Sequence, residues 1–159
     1  MIPVTKDSIK QKMIELSKMI HYDYKDLSHL TNAMNVTKIG DTAKSSYSNS
    51  AMATVGDAVL KLIISDNFFR MNKTRGEITI IKSGVESNTH YYTISNQLGL
   101  CHYAYNNQYF FDDAPDHLKL PSGTHDVYLE AVACAVFHDL GFDACRKWVE
   151  KEILPSIKS

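Results

Sequence analysis

Long apolar runs, an excess of one charge sign and any regular cysteine spacing are all missing from this chain. The 17 Lys and Arg residues are balanced by 18 Asp and Glu, which argues against a protein that holds nucleic acid mainly through an overwhelming positive field but leaves room for a local basic strip. Cys101, Cys134 and Cys145 are odd in number and have neither CxxC nor zinc-type spacing. They exclude a disulfide framework and point to a reducing, cytoplasmic setting. The opening MIPVTKDSIKQKMIEL has an early lysine and no long apolar stretch, so neither a signal peptide nor a membrane anchor is expected, and no membrane partner. Repeats, low-complexity tracts and obvious linkers are also absent. What is present is a 159-residue chain that is 44% apolar, enough for one real core and short for two, and the expectation is a single domain over residues 1–159.

Helical periodicity dominates, and strand alternation is nearly absent. Ile9, Met13, Leu16 and Ile20 form the stripe of a first helix opened by Asp7 as cap. A short element follows around Leu27 to Met34, and the Ser-, Thr- and Asn-rich stretch Asp41 to Asn49 reads as a loop. The first long core helix should run from about Ser50 to Phe69, with Met52, Val55, Val59, Leu62 and Ile63 as its apolar positions. Two shorter helices fit Glu77 to Ser83 and Asn88 to Leu98, the second capped by Ser87 or Asn88 and stopped by Gly99. After an aromatic, irregular segment from Tyr103 to Leu120, a second core helix is expected from Thr124 to Leu140, stopped by Gly141, and a last amphipathic helix from Phe142 to Leu154. The fold class is all-α.

Two acids sit in the apolar core helices: Asp57 in NSAMATVGDAVLKLII and Glu130 in HDVYLEAVACAVFHDLGF. A carboxylate on the buried stripe of a helix is costly unless it is paired, hydrogen-bonded or bound to a cation. A divalent metal shared between them is the sharpest explanation.

These segments also carry a resemblance. NSAMATVGDAVLKLIISDNFF is similar to the signature helix of the ribonuclease III family, usually NERLEFLGDAVL. RGEITIIKSGVESN resembles the family's EGELTRLRASLVSN, THYYTISNQLGL its ETLAELARELGL, and YLEAVACAVFHDLGFDACRKWV its ALEAIIGAIYLDGGLEAARRFV without a gap. The four segments occur in the family's order and extend over about residues 24–154. The resemblance implies the helical nuclease-domain fold, a symmetric homodimer with a valley for double-stranded RNA, and Mg²⁺-dependent hydrolysis of phosphodiesters, with Mn²⁺ as a substitute. It also assigns Asp57 and Glu130 as metal ligands. A hard cation of this kind needs only one or two protein carboxylates when phosphate and water supply the rest.

The chain departs from the pattern at two places. Family members usually carry a Glu four residues before the Asp of GDAV and an Asp three residues before the second Glu; here Ala53 and Val127 occupy those positions. The compact Mini-III enzymes, which lack an appended double-stranded-RNA-binding domain, are similar in having a small residue before a retained GDA, and this chain too is expected to lack that domain. Helix geometry offers a substitute for the second acid. The position four before Glu130 lies only about 40° around the helix from it, so Asp126 still faces the site and is a third candidate catalytic acid. Ser50, seven residues before Asp57, is a candidate partner for a metal-bound water. Lys61, Lys73, Arg75 and Lys82 are the candidate contacts to the RNA backbone, with salt-sensitive affinity.

Each assignment has a plainer rival. Asp57 and Glu130 can brace helix packing, Asp126 can serve a helix N-terminus, Glu77 can be a solvated first-turn acid where the family has a site-lining Glu, and Asn88 can be only a cap. The aromatics from Tyr103 to Phe111 suit core or dimer packing better than base stacking, because a double helix hides its bases. The dipeptides His125-Asp126 and His138-Asp139, with His102 and His117, suggest a second enzyme class, the His-Asp metal phosphohydrolases. The serious alternative is a degenerate ribonuclease III-like domain that binds structured RNA or ribosomal components without cleaving.

Overall fold

The computed structural model describes residues 2–39, 46–86, 88–112 and 127–157. Seven α-helices are present among them. Helix α1 spans Lys6–Met19, α2 Ser28–Ala33, α3 Ser50–Arg70, α4 Arg75–Glu86, α5 Asn88–Leu98, α6 Tyr128–Leu140 and α7 Phe142–Glu152. A two-residue antiparallel hairpin, β1 (Lys38–Ile39) with β2 (Ser46–Tyr47), is the small exception to an all-α architecture.

The organising element is α6. Every residue from Tyr128 to Val136 is buried, so over this stretch the helix has no solvent face and must be wrapped on all sides. Helices α2, α3, α5 and α7 pack around it, and α3 makes the most extensive contact. That pairing depends on small residues. A Cβ added to Gly56 would lie 1.6 Å from the carbonyl oxygen of Glu130, so the two backbones touch where α3 crosses α6. Only glycine permits this approach.

Several local expectations change on contact with the structure. Thr5, not Asp7, caps α1: its hydroxyl accepts the Ser8 N–H at 3.1 Å, and the Ser8 hydroxyl accepts the Thr5 N–H at 2.8 Å. A reciprocal box satisfies two orphan donors, and Asp7 falls in the first turn. Helix α4 begins earlier than expected for the same reason. Thr74 and Glu77 form a second reciprocal cap, with Glu77 Oε1 accepting the Thr74 N–H at 3.0 Å and Thr74 Oγ1 accepting the Glu77 N–H at 3.2 Å. Gly141 ends α6 with φ +90° and Gly99 follows α5 with φ +69°, as their positions suggested.

The apolar positions of α3 divide between two faces. Ala53, Gly56, Val59, Leu60, Ile63, Ile64 and Phe68 are buried, whereas Val55, Leu62 and Phe69 are exposed. A helix apolar on two sides has no single stripe for sequence periodicity to find. The aromatic segment went largely where expected: Tyr103, Tyr105, Phe110 and Phe111 are core residues. Tyr105 exchanges backbone hydrogen bonds with Met34 and Val36, which fastens this segment to the end of α2. Trp148 on α7 donates its indole N–H to the Ile20 carbonyl at 2.9 Å and closes α7 against the end of α1.

Candidate active site

The α3–α6 crossing brings the two acid-bearing turns together. Glu130 is one of four buried polar or charged residues in the described structure, 8% exposed, and its carbonyl oxygen abuts Gly56. Asp57 follows Gly56 directly, so the contact fixes the α3 turn that carries Asp57 against the α6 turn that carries Glu130. The expectation that both acids are buried holds only for Glu130. The Asp57 side chain is 39% exposed, and its Oδ2 accepts a charged hydrogen bond from Lys61 Nζ at 2.9 Å, one turn further along α3. An exposed i,i+4 pair of this kind contributes about 0.3–0.5 kcal/mol. Asp57 is therefore held by a weak, removable partner.

The remaining candidates divide. Lys61 lies within 2.9 Å of Asp57. Lys73 and Lys82 are half-buried and Arg75 is exposed, all near the start of α4 or along it. Glu77 is engaged in the Thr74 cap; the Thr74 N–H, with a smaller contribution from Lys73, holds its carboxyl below the ordinary glutamate value. The plainer reading of Glu77 thus has a defined structural basis. Ser50 Oγ accepts the Tyr47 N–H at 3.0 Å and closes the turn between β2 and α3, a local duty that the sequence reading did not anticipate. Ala53 is buried and Val127 half-buried, at the two positions where the family usually has acids. Asp126, and the side chain of Asn88, lie outside the described residues.

A divalent cation fits the donor set. Both acids are hard oxygen donors on facing turns, and Asp57 already takes a cation, the Lys61 ammonium, on one oxygen. No group of three or more His, Cys, Asp or Glu side chains with metal-binding geometry occurs among the described residues.

The rival His-Asp chemistry loses its footing at the other end of α6. Asp139 Oδ1 accepts the Asp26 N–H at 2.9 Å, and Oδ2 accepts both the Lys25 N–H at 2.9 Å and the Tyr22 hydroxyl. Burial and this carboxylate push the Tyr22 phenol well above its ordinary range. His138 stacks on His29 with ring centroids 6.4 Å apart, and His102 Nδ1 pairs with Asp112 at 2.8 Å. These partners give Asp139 a structural role that no sequence signal announced. His117 and the His125-Asp126 dipeptide fall outside the described residues.

Comparison with known proteins agrees with the resemblance read from the sequence. No family model matches the chain. A ribonuclease 3 of Desulfotalea psychrophila is 28% identical over 153 residues, covering 93% of this chain and 61% of that relative's length. Two solved structures of the nuclease domain of ribonuclease III from Campylobacter jejuni superpose with TM-scores of 0.70, at 20% and 19% identity; they cover 89% and 92% of this chain and 96% of each domain. One of them is described as flexible in a region involved in dimer formation. The chain has the fold of a ribonuclease III nuclease domain.

Proposed function

We propose that this chain is a divalent-metal-dependent endoribonuclease of the ribonuclease III type, hydrolysing phosphodiester bonds in double-stranded or structured RNA inside the cytoplasm. The observation that carries the proposal is the α3–α6 crossing, where backbone contact at Gly56 sets the turn of Asp57 beside that of Glu130. In this reading Asp57 and Glu130 hold Mg²⁺, with Mn²⁺ able to replace it. Bound there, the cation would supply Lewis-acid stabilisation of the charge that develops on the phosphate. The burial of Glu130 keeps one ligand rigid, while the exposure of Asp57 leaves an open side for RNA. Asp126 is retained as the third acid.

Lys73, Arg75 and Lys82, with Lys61 once released from Asp57, are proposed to meet the RNA backbone. A chain of net charge −1 with so few local cations should bind weakly and lose affinity steeply with salt. The homodimer is proposed to form across the outer side of α3. Val55, Leu62 and Phe69 recur there at intervals of seven residues, and Phe69 is 69% exposed. An apolar row at that spacing lies on one helix face and is costly in water unless covered. A second copy would cover it and double the site.

The experiment is cleavage of an end-labelled RNA duplex with Mg²⁺ or Mn²⁺ by the parent protein, Asp57→Asn and Glu130→Gln. Metal-dependent cleavage by the parent and its loss in both variants is the expected result. The second reading, a non-cleaving RNA-binding scaffold, is favoured by Ala53 and Val127 at the usual acid positions. It would be established by a parent that binds the duplex but neither cleaves it nor takes up metal.

A further inference from the structure

Lys61 on α3 is ion-paired to a candidate catalytic acid, its Nζ lying 2.9 Å from Asp57 Oδ2. We infer that it is a built-in counter-ion of the site, which occupies Asp57 when no divalent metal is bound and must leave when one arrives. The inference rests on the proposed reading of Asp57 as a metal ligand and adds a regulatory step to it.

The geometry forces competition. Lys61 Nζ lies 2.9 Å from Asp57 Oδ2, and a magnesium ion on that oxygen would sit about 2.1 Å from it. The two positive centres would then be at most about 5 Å apart, a separation at which a dication and an ammonium repel appreciably even in water. The pair is also easy to break. Both side chains are more than one-third exposed, at 38% and 39%, so the ammonium can exchange the carboxylate for water without being stranded in the core. By linkage, whatever strengthens the Lys61–Asp57 contact weakens metal binding, and metal binding frees Lys61 to the same extent. An ammonium released beside the metal is placed to meet a phosphate. Metal loading and RNA capture at this site would thus be coupled through one side chain.

The probe is Mn²⁺ alone, in the absence of RNA, titrated into the full chain with free Mn²⁺ followed by electron paramagnetic resonance. Parent, Lys61→Met, Lys61→Arg, Asp57→Asn and Glu130→Gln are compared after their helical circular dichroism has been matched. Lys61→Met should bind Mn²⁺ about tenfold more tightly than the parent, because the competing charge is gone. Lys61→Arg should stay near the parent. Unchanged or weaker binding by Lys61→Met, with binding still lost in Asp57→Asn and Glu130→Gln, would overturn the counter-ion role and leave the two-acid site standing. Absence of Mn²⁺ binding by the parent, or binding indifferent to both acid substitutions, would overturn the site itself and the counter-ion role with it. A second readout is the rate of reductive methylation of Lys61, which should rise on adding Mg²⁺; a constant rate would also count against the inference.

Discussion

Two acids stand at opposite ends of helix α6, Asp139 on its last turns and Asp57 on α3 beside its first, and they are held in different ways. Asp139, near the C-terminal end, spends its oxygens on two backbone N–H groups and a buried phenol, all from residues 22–26. Glu130, near the N-terminal end, faces α3 at a backbone contact, and its neighbour across the crossing, Asp57, keeps only a solvent-accessible lysine among its described partners. An acid tied down by main-chain donors organises a loop. An acid held by a flexible ammonium remains available to a ligand. Asp139 and Asp57 carry the same charge, so the distinction lies in what donates to their oxygens.

Substitutions at the two ends should separate activity from stability. Asp57→Asn should lower duplex cleavage by about a thousandfold or more, the scale of the several kcal/mol that a metal ion contributes to phosphoryl-transfer transition states. Its midpoint of thermal unfolding should move by no more than about 2 °C, since only an exposed ion pair is lost. Parallel loss of melting temperature and cleavage in Asp57→Asn would mean that this acid, too, is structural. Gly56→Ala should be the most damaging change to the fold. Its methyl group would sit 1.6 Å from the Glu130 carbonyl oxygen, so the backbones must separate at a cost of about 3 kcal/mol, or roughly 6–12 °C of melting temperature in a chain of this size. Asp139→Ala should follow at about 2–3 kcal/mol, because it strands donors that were paired to a charged acceptor. Cleavage per folded molecule should be unaffected, and a large loss there would tie the 22–26 loop to the active site.

The same contrast explains what was legible in the sequence. The long helices, their glycine stops and the burial of α6 follow from local composition, and Gly141 and Gly99 ended elements where the pattern placed them. Glu130 could be read as a buried acid because its whole neighbourhood in the sequence is apolar. Asp57 could not be told from it, since α3 is apolar both inward, at Val59 and Ile63, and outward, at Val55 and Leu62. Which apolar face meets α6 is decided by Gly56, and the missing side chain is itself the signal that could have found the crossing. The clamp by Asp139 joins residues more than a hundred positions apart. The Lys61 contact, by contrast, is legible in the sequence as an i,i+4 pair with Asp57, although a lysine there suits a phosphate equally well.

The smallest expected effect belongs to Glu77, the acid that the resemblance places at the site's edge and that here serves as a helix cap. Glu77 caps α4 by accepting the Thr74 N–H, which lowers its pKa below the ordinary glutamate value of 4.5. A carboxyl with a depressed folded-state pKa adds stability above its unfolded-state value, and that contribution disappears as pH falls through the folded-state value. Glu77 should therefore support α4 in full at neutral pH and lose its hold only at pH below about 4.5, on the acid side of the ordinary carboxylate range. Glu77→Gln keeps an acceptor for the Thr74 N–H and removes the charge, so it should flatten this part of the acid unfolding curve while changing neutral-pH cleavage less than threefold or so. Amide hydrogen exchange at the start of α4, followed from pH 6 to pH 3.5 or so in parent and variant, would read the cap directly. A cleavage loss in Glu77→Gln comparable to that of Asp57→Asn would place Glu77 with the acids that act on RNA rather than with those that hold the fold.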